Sequence, residues 1–258
     1  MIDCNTFIGH WPFRRLRQND VVGLLGMMDQ FGIERACAAS ADAVLFKDSH
    51  AGNERLFEET HGHEDRFWLY ATLNPCYPGW QRDLAWCVDK GFRALRLYPI
   101  YHGYALSGRE AGAIIDAAAE AGLPVSVPCR IEDLRQRHWM DVTENVDPLD
   151  VLAAAEAHPD ADFLLMEAVL SPAGDSDTWR RFQDARVHLE MSRLSNFFGN
   201  SLKTALDMLG PDRVLLGTGF PFKTPSPAFL KIQALDADAG TKARITRTNA
   251  VHLFDKTS

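Results

Sequence analysis

Four charged residues stand at the ends of apolar segments that read as strands. Arg96 and Arg130 end one pair of these segments, and Glu167 and Glu190 end another pair. A charged side chain is costly to bury unless it is paired or solvated. These four residues are therefore either ion-paired plugs of a core or the polar groups of a binding site.

The two arginines and the two glutamates suit chemistry on a small anionic substrate. Arg96 and Arg130 could each donate two parallel hydrogen bonds to a carboxylate or an enolate. Glu167 is the expected proton carrier, and its burial should raise its pKa unless Arg96 or Arg130 lies within ~4–6 Å and lowers it. Glu190 is a third catalytic candidate, although it could instead merely pair with a neighbouring arginine.

A loop rich in tyrosine follows the segment that ends near Arg96. Residues 98–104 read Tyr-Pro-Ile-Tyr-His-Gly-Tyr. His102 titrates near neutral pH, so it is the expected acid–base partner of Glu167. Tyr98 and Tyr104 are expected to contact the substrate, because polar aromatic side chains in such loops commonly do so.

The first segment and the loop after it supply two more expected substrate contacts. Alternation along a strand places Asp3 and Asn5 on one face, with Asn5 directed towards the substrate and Asp3 in a structural role. His10 opens the stretch 10–17, which contains two aromatic residues and three arginines. This stretch is expected to form a rim or lid, although a plain solvated loop fits its composition equally well.

Short apolar runs alternate with longer amphipathic runs along the chain. The predicted strands are residues 1–8, 35–39, 67–73, 92–98, 123–128, 162–169, 186–191 and 213–217. The predicted helices include residues 20–31, 53–61, 81–90, 110–121 and 148–157. Such alternation without a break in composition predicts a single (β/α)8 TIM barrel domain over 1–258, with the site at the carboxyl ends of the strands. A doubly wound sheet is the alternative, but no Gly-x-Gly-x-x-Gly motif follows the first strand.

Composition narrows the class of protein. The chain has 258 residues, of which 46% are hydrophobic, and a net charge of −8. Its basic residues are spread out, so nucleic acid is not an expected partner, and no apolar run approaches the ~18 residues of a membrane span. Five cysteines without a Cys-x-x-Cys pair, and no signal peptide, predict a cytoplasmic protein. The composition leaves open whether the chain forms a homo-oligomer.

Both ends of the chain resemble the amidohydrolase-related family of (β/α)8 barrels. Residues 2–9 read Ile-Asp-Cys-Asn-Thr-Phe-Ile-Gly, where the family usually reads Ile-Asp-x-His-x-His-x-Gly. Residues 214–222 read Val-Leu-Leu-Gly-Thr-Gly-Phe-Pro-Phe, and 248–254 read Thr-Asn-Ala-Val-His-Leu-Phe. A third anchor, 91–99, reads Gly-Phe-Arg-Ala-Leu-Arg-Leu-Tyr-Pro. The resemblance covers nearly the whole chain and implies a barrel of hydrolase type.

The same resemblance bears on metal binding. Family members usually bind a divalent metal through histidines of strands one, five and six, and an Asp of strand eight takes a proton from metal-bound water. The matching positions here are Asn5, Phe7, Pro128, Glu167 and Gly219. One carboxylate beside an amide makes no stable zinc site, so no metal or other cofactor is expected. Some lactonases of the family similarly work without metal and hold carboxylated substrates through arginines, although they generally keep the strand-eight Asp.

Three functions compete at this point. The preferred one is a metal-independent hydrolase, lyase or isomerase acting on a small anionic substrate, with lactones as one candidate class. The second is a metal-dependent hydrolase with a non-standard ligand set, such as Glu167, Glu190, His188 and a loop histidine. The third is a non-catalytic binding or scaffold barrel, against which the charged groups at the barrel mouth argue.

Overall fold

Eight parallel strands form one sheet whose order follows the chain. The computed structural model describes residues 1–142, 144–170, 176–195 and 200–255. The strands are β1 (Ile2–Ile8), β2 (Arg35–Ser40), β3 (Phe67–Thr72), β4 (Ala94–Arg96), β5 (Val125–Pro128), β6 (Phe163–Met166), β7 (Val187–Glu190) and β8 (Val214–Leu215). Each coincides with a predicted strand, and most are shorter because their ends lead into loops. The prediction of eight strands is confirmed.

Backbone hydrogen bonds between β1 and the segment after β8 close the sheet into a barrel. Cys4 N donates to Leu216 O and Phe7 N donates to Phe220 O, each over 2.8 Å. Gly219 N donates to Asn5 O, also over 2.8 Å. The predicted (β/α)8 TIM barrel is therefore confirmed. The last residues of the proposed domain, 256–258, lie outside the described part of the chain.

Helices follow the strands and cover the outside of the barrel. They are α1 (Val21–Phe31), α2 (His50–Glu59), α3 (Trp80–Asp89), α4 (Pro99–His102), α5 (Arg109–Glu120), α6 (Pro148–Ala157), α7 (Ser176–Asp184), α8 (Ser201–Leu209), α9 (Ser226–Ala234), α10 (Ala239–Ala243) and α11 (Asn249–Phe254). The ends of α1 show why the helices stop where the sequence indicates. Asp20 accepts from Gly23 N over 2.7 Å at its start, and Gly32 takes φ 67° after its end.

The alternation of side chains along each strand sorts the core into two layers. In β6, Leu164 and Met166 belong to the cluster inside the barrel, whereas Phe163 and Leu165 pack against the outer helices. All four side chains are fully buried. The polar residue Glu167 follows directly where this apolar strand ends. In the described residues, no helix has the length and apolarity needed to span a membrane.

Candidate active site

Glu167 follows the last residue of β6 and has an unusual backbone conformation. Strict alternation after Met166, which points inward, would turn Glu167 towards the outer helices. Its φ of 54° lies in the left-handed region that non-glycine residues rarely adopt. This conformation is compatible with an inward side chain, and the carboxylate contacts residues of β1 and of the loops after β7 and β8. Backbone strain of this kind is characteristic of functional sites.

Two cations hold the Glu167 carboxylate. Arg193 Nε donates to Oε2 over 2.8 Å, and Lys223 Nζ lies 2.6 Å from the carboxylate. Asn5 Nδ2 donates to Oε1 over 2.8 Å. Burial alone would raise the pKa of Glu167, but the charges of Lys223 and Arg193 outweigh it and lower the pKa. The predicted rise was therefore wrong, and the cations with the largest effect are Lys223 and Arg193 rather than Arg96 or Arg130.

Glu190 ends β7 and shares the site with Glu167. Its Oε2 accepts from Ser192 Oγ over 2.9 Å, and from Asn5 Nδ2 and Glu167 N over 3.3 Å each. Burial, followed by the charge of Glu167, raises the pKa of Glu190. The nearby Arg193 pairs with Glu167 and Asp133, so it is not the partner of Glu190. Adjacent carboxylates with opposite pKa shifts form a pair in which one acid keeps its proton to higher pH.

Lys223 reaches this pair because residue 219 is a glycine. A Cβ at Gly219 would overlap Lys223 Cε and would lie 3.0 Å from Glu167 Oε1. Lys223 Nζ also donates to Ser192 Oγ over 2.8 Å, which joins the lysine to both glutamates. Ser192, Arg193 and Lys223 are site residues that were not predicted from the sequence. Alternation from Glu190 could have found Ser192, but no periodic signal marks a lysine in the loop after β8.

Arg96 is fully buried inside the barrel without an acidic partner among the described residues. Its guanidinium carbon lies 3.9 Å from the ring centroid of Tyr70 and 5.2 Å from that of Phe7. Arg96 Nε donates to Ser126 Oγ over 3.1 Å, whereas its Nη1 has no hydrogen-bond partner among the described residues. Arg96 is therefore not buried as a member of an ion pair. Contacts with aromatic faces stabilise the charge instead.

Arg130 and Tyr98 line one small cavity beside the barrel mouth. Burial, and then the nearby charge of Arg193, lowers the pKa of Arg130. The Tyr98 hydroxyl is buried, which raises its pKa, and the nearby charge of Arg96 opposes this rise. The structure thus brings Arg130 close to the charge of Arg193, which was not expected. A carboxylate clamped jointly by Arg96 and Arg130 stays a prediction.

The remaining predicted site residues lie at the β2 and β4 side of the mouth. His102 Nε2 is 3.4 Å from Ala43 O, and the His102 ring packs against Tyr98 and Tyr104. Burial lowers the pKa of His102. His102 is not among the polar partners of Glu167 in the described chain, and His10 is exposed at the rim. Their catalytic and binding roles stay predictions.

A cavity of about 580 Å³ opens beside Lys223 and Ser192. Its charged lining residues are Arg14, Arg15, Arg17 and Lys223, and no acidic residue of the described part of the chain lines it. Arg14 is paired with Glu132 and donates to Phe222 O over 2.7 Å. Arg15 and Arg17 are exposed and have no acidic partner within the described residues. The cavity is therefore suited to an anion.

Asp3 joins β1 to the loop after β8 below this site. Its Oδ1 accepts from Asn5 N and Thr218 N over 3.0 Å each, and its Oδ2 accepts from Thr218 Oγ1 over 2.6 Å. Burial raises the pKa of Asp3 to about 7, although these hydrogen bonds oppose the rise. The structural role expected for Asp3 agrees with these contacts.

The sequence matches the amidohydrolase family over residues 7–256. The chain belongs to the amidohydrolase family. This confirms the resemblance drawn from the two ends of the sequence. A barrel of this family with such a site is an enzyme, either a hydrolase or a lyase. None of the curated proteins compared with the chain matches it.

Solved decarboxylases share the barrel of this amidohydrolase-family chain. A 2,6-dihydroxybenzoate decarboxylase in complex with 2,6-dihydroxybenzoate has a TM-score of 0.75 and 21% identity, over 100% of this chain and 99% of that one. A 5-carboxyvanillate decarboxylase from Sphingomonas paucimobilis has a TM-score of 0.76 and 15% identity, over 98% of each chain. A dihydroxybenzoic acid decarboxylase from Polaromonas sp. JS666, with bound manganese and 2-nitroresorcinol, has a TM-score of 0.75 and 17% identity, over 100% of this chain and 97% of that one. Identities this low show the fold alone.

Proposed function

We propose that this chain is a metal-independent hydrolase that cleaves the C–O bond of a small anionic ester or lactone. The observation that carries the proposal is the ammonium group of Lys223. It lies 2.6 Å from the Glu167 carboxylate, in space left by Gly219, and it lines a cavity with three arginines. A fixed cation beside a substrate cavity can stabilise the negative charge that develops on a carbonyl oxygen.

The donor set of the site does not fit a metal cage. Phe7 and Pro128 have no donor atom in their side chains, and Gly219 has no side chain at all. In the described ranges, no group of three or more His, Cys, Asp or Glu side chains is placed to hold a metal ion. Glu167, the one carboxylate at the expected ligand positions, is already bound by Lys223 and Arg193. That these positions replace family ligands stays a prediction from the resemblance.

Each element of the site has a role in the proposed reaction. Arg15 and Arg17 attract the anionic group of the substrate into the cavity, and Lys223 faces the carbonyl group. Glu190 serves as the acid–base group, because its raised pKa gives it a higher proton affinity than an ordinary carboxylate. Glu167 stays ionised and holds Lys223 in position, so its role differs from the proton transfer expected from the sequence.

The first experiment measures hydrolysis and metal content together. The protein is purified without chelator, and turnover of 4-nitrophenyl hydrogen succinate is compared with that of neutral 4-nitrophenyl butyrate before and after dialysis against EDTA. We expect well under one equivalent of zinc, manganese or iron by mass spectrometry, preference for the anionic ester, and unchanged rates after EDTA. Stoichiometric metal whose removal abolishes turnover would contradict the metal-independent mechanism.

A decarboxylase is the second candidate function, because the solved structures of similar fold include enzymes of that type acting on aromatic acids. Carbon dioxide release from 2,6-dihydroxybenzoate tests it directly. Release without ester hydrolysis would replace the hydrolase by a lyase. Under either function, a small-molecule substrate and a cytoplasmic location stay proposals.

A further inference from the structure

We infer that Ser192 is the nucleophile of this site and forms a covalent acyl-enzyme with a carboxylated ester or lactone. The inference rests on the proposed hydrolase function. It assigns the attacking group, which neither the family resemblance nor the barrel fold supplies.

Ser192 is the one hydroxyl group of the carboxylate cluster that also lines the cationic cavity. Glu167 and Glu190 are 2% and 1% exposed and do not line the cavity, so Glu190 can exchange protons with a bound substrate only beside Ser192 Oγ, which it contacts. Ser192 and Lys223, in contrast, both line it. A substrate in the cavity would therefore meet the serine hydroxyl and the lysine ammonium before it met either acid.

A single carboxylate fixes the position of the serine. Glu190 Oε1 accepts from Ser192 N, and Glu190 Oε2 accepts from Ser192 Oγ over 2.9 Å. Glu190 is in turn held by Asn5 Nδ2 over 3.3 Å. A nucleophile within 2.6–3.2 Å of a base that a third group orients is the general geometry of nucleophilic catalysis.

The two glutamates differ in their fitness as the base for Ser192. Ser192 Oγ also lies 3.0 Å from Glu167 Oε1, but its single proton can be donated to only one carboxylate at a time. Both oxygens of Glu167 are already bound, Oε1 by Asn5 and Oε2 by Arg193 and Lys223, whereas Glu190 accepts from both the amide and the hydroxyl group of Ser192. Glu190 is therefore the base to which the Ser192 proton passes, and the raised direction of its pKa agrees with that role.

Lys223 completes the arrangement on the opposite side of the hydroxyl. Lys223 Nζ lies 2.8 Å from Ser192 Oγ and donates to it. Its positive charge favours the alkoxide over the alcohol and then stabilises the tetrahedral oxyanion formed next to it. The charge of Lys223 is itself fixed by Glu167, which explains why the site has two carboxylates rather than one.

The reaction balances without any co-reactant except water. The Ser192 O–H bond breaks, its proton passes to Glu190, and Oγ bonds to the carbonyl carbon. The C–O bond of the ester then breaks, and the proton on Glu190 moves to the leaving alkoxide. Water next attacks the acyl group and gives a proton to Glu190, which returns it to Oγ as the acid product departs.

The test uses Ser192→Ala, with Ser107→Ala on an exposed loop as the matched control. We expect Ser192→Ala to lower kcat for 4-nitrophenyl hydrogen succinate by roughly a thousandfold, whereas Ser107→Ala leaves it unchanged. Intact mass after rapid quenching should show one succinyl group on the wild-type chain, mapped to Ser192. Ser192→Cys should still become acylated, as a thioester, which separates lost chemistry from lost folding.

A carboxylated fluorophosphonate gives a readout that does not depend on turnover. One equivalent should bind covalently to Ser192 in the wild type and none in Ser192→Ala. Turnover of the anionic ester that survives Ser192→Ala, without an acylated intermediate, would refute the nucleophile and leave the hydrolase intact. Absence of turnover by the wild type would contradict the proposed hydrolase function. If the probe also failed to label Ser192, the role of Ser192 as nucleophile would be contradicted independently of turnover.

Discussion

Gly219, which has no side chain, and Lys223 together determine the charge of the site. Gly219 has φ 75°, and the space beside it holds the aliphatic part of Lys223. The ammonium group then neutralises Glu167, while Glu190 retains a raised pKa. In the proposed reaction, a fixed ammonium thus supplies at the carbonyl group the positive charge that a metal ion supplies in many hydrolases.

Gly219→Ala should abolish turnover because its Cβ displaces Lys223. The substitution also carries the backbone cost of a positive φ, of about 1–2 kcal/mol. Gly122→Ala is the matched control, because Gly122 has φ 72° and a Cβ added there would have no atom within 4 Å. We expect both variants to lose similar unfolding free energy in urea, and only Gly219→Ala to lose kcat. Equal kcat in the two variants would show that the position of Lys223 does not matter.

At the scale of elements, the site depends on the seam between β1 and the loop after β8. Asp3 accepts two hydrogen bonds from Thr218 across this seam and a third from Asn5 N within β1. Because burial raises the Asp3 pKa from 3.8 to about 7, the folded protein holds this proton over a pH range in which the unfolded chain has lost it. Folding is therefore more favourable at the acid end of that range.

Asp3→Asn should flatten the dependence of stability on pH. In the wild type, the Asp3 contribution is complete below pH 3.8 and is lost as pH rises to about 7, at a slope of at most ~1.4 kcal/mol per pH unit. The difference in unfolding free energy between wild type and Asp3→Asn, measured in urea from pH 4 to pH 8, should follow this fall. Curves that stay parallel would mean that Asp3 is ionised throughout.

The sequence predicts elements better than it predicts side-chain contacts. Hydrophobic periods locate all eight strands because burial on both faces leaves a continuous apolar signal. The alternation of side chains along β7 correctly places Glu190 inside the barrel. The same alternation along β6 would direct Glu167 outward, because no sequence pattern predicts the φ of 54° at that residue. Lys223 enters the site from a loop through space left by Gly219, so only the three-dimensional structure reveals it.

At the scale of the molecule, a basic cavity lies in an acidic protein. The chain has a net charge of −8, which repels an approaching anion at long range. The cavity beside Lys223 is lined by Arg14, Arg15 and Arg17 and by no acid. Such local concentration of one sign of charge guides an anionic substrate to the mouth and raises its local concentration. Its effect should weaken over the ~8–10 Å Debye length of ordinary buffers.

Replacing Arg15 and Arg17 together by glutamine should lower kcat/KM for 4-nitrophenyl hydrogen succinate by ~10-fold or more at low salt. Neutral 4-nitrophenyl butyrate should be unaffected, because no charge attracts it. Arg109→Gln is the control, since the Arg109 side chain is 94% exposed, lies outside the cavity and pairs with Glu110 at 3.7 Å. Raising sodium chloride from 10 mM to 500 mM shortens the Debye length from ~30 Å to a few Å. This change should lower kcat/KM of the wild type and leave kcat/KM of the double variant nearly constant. An equal salt dependence in the wild type and the double variant would place anion recognition elsewhere, with Arg96 and Arg130 as the next arginines to replace.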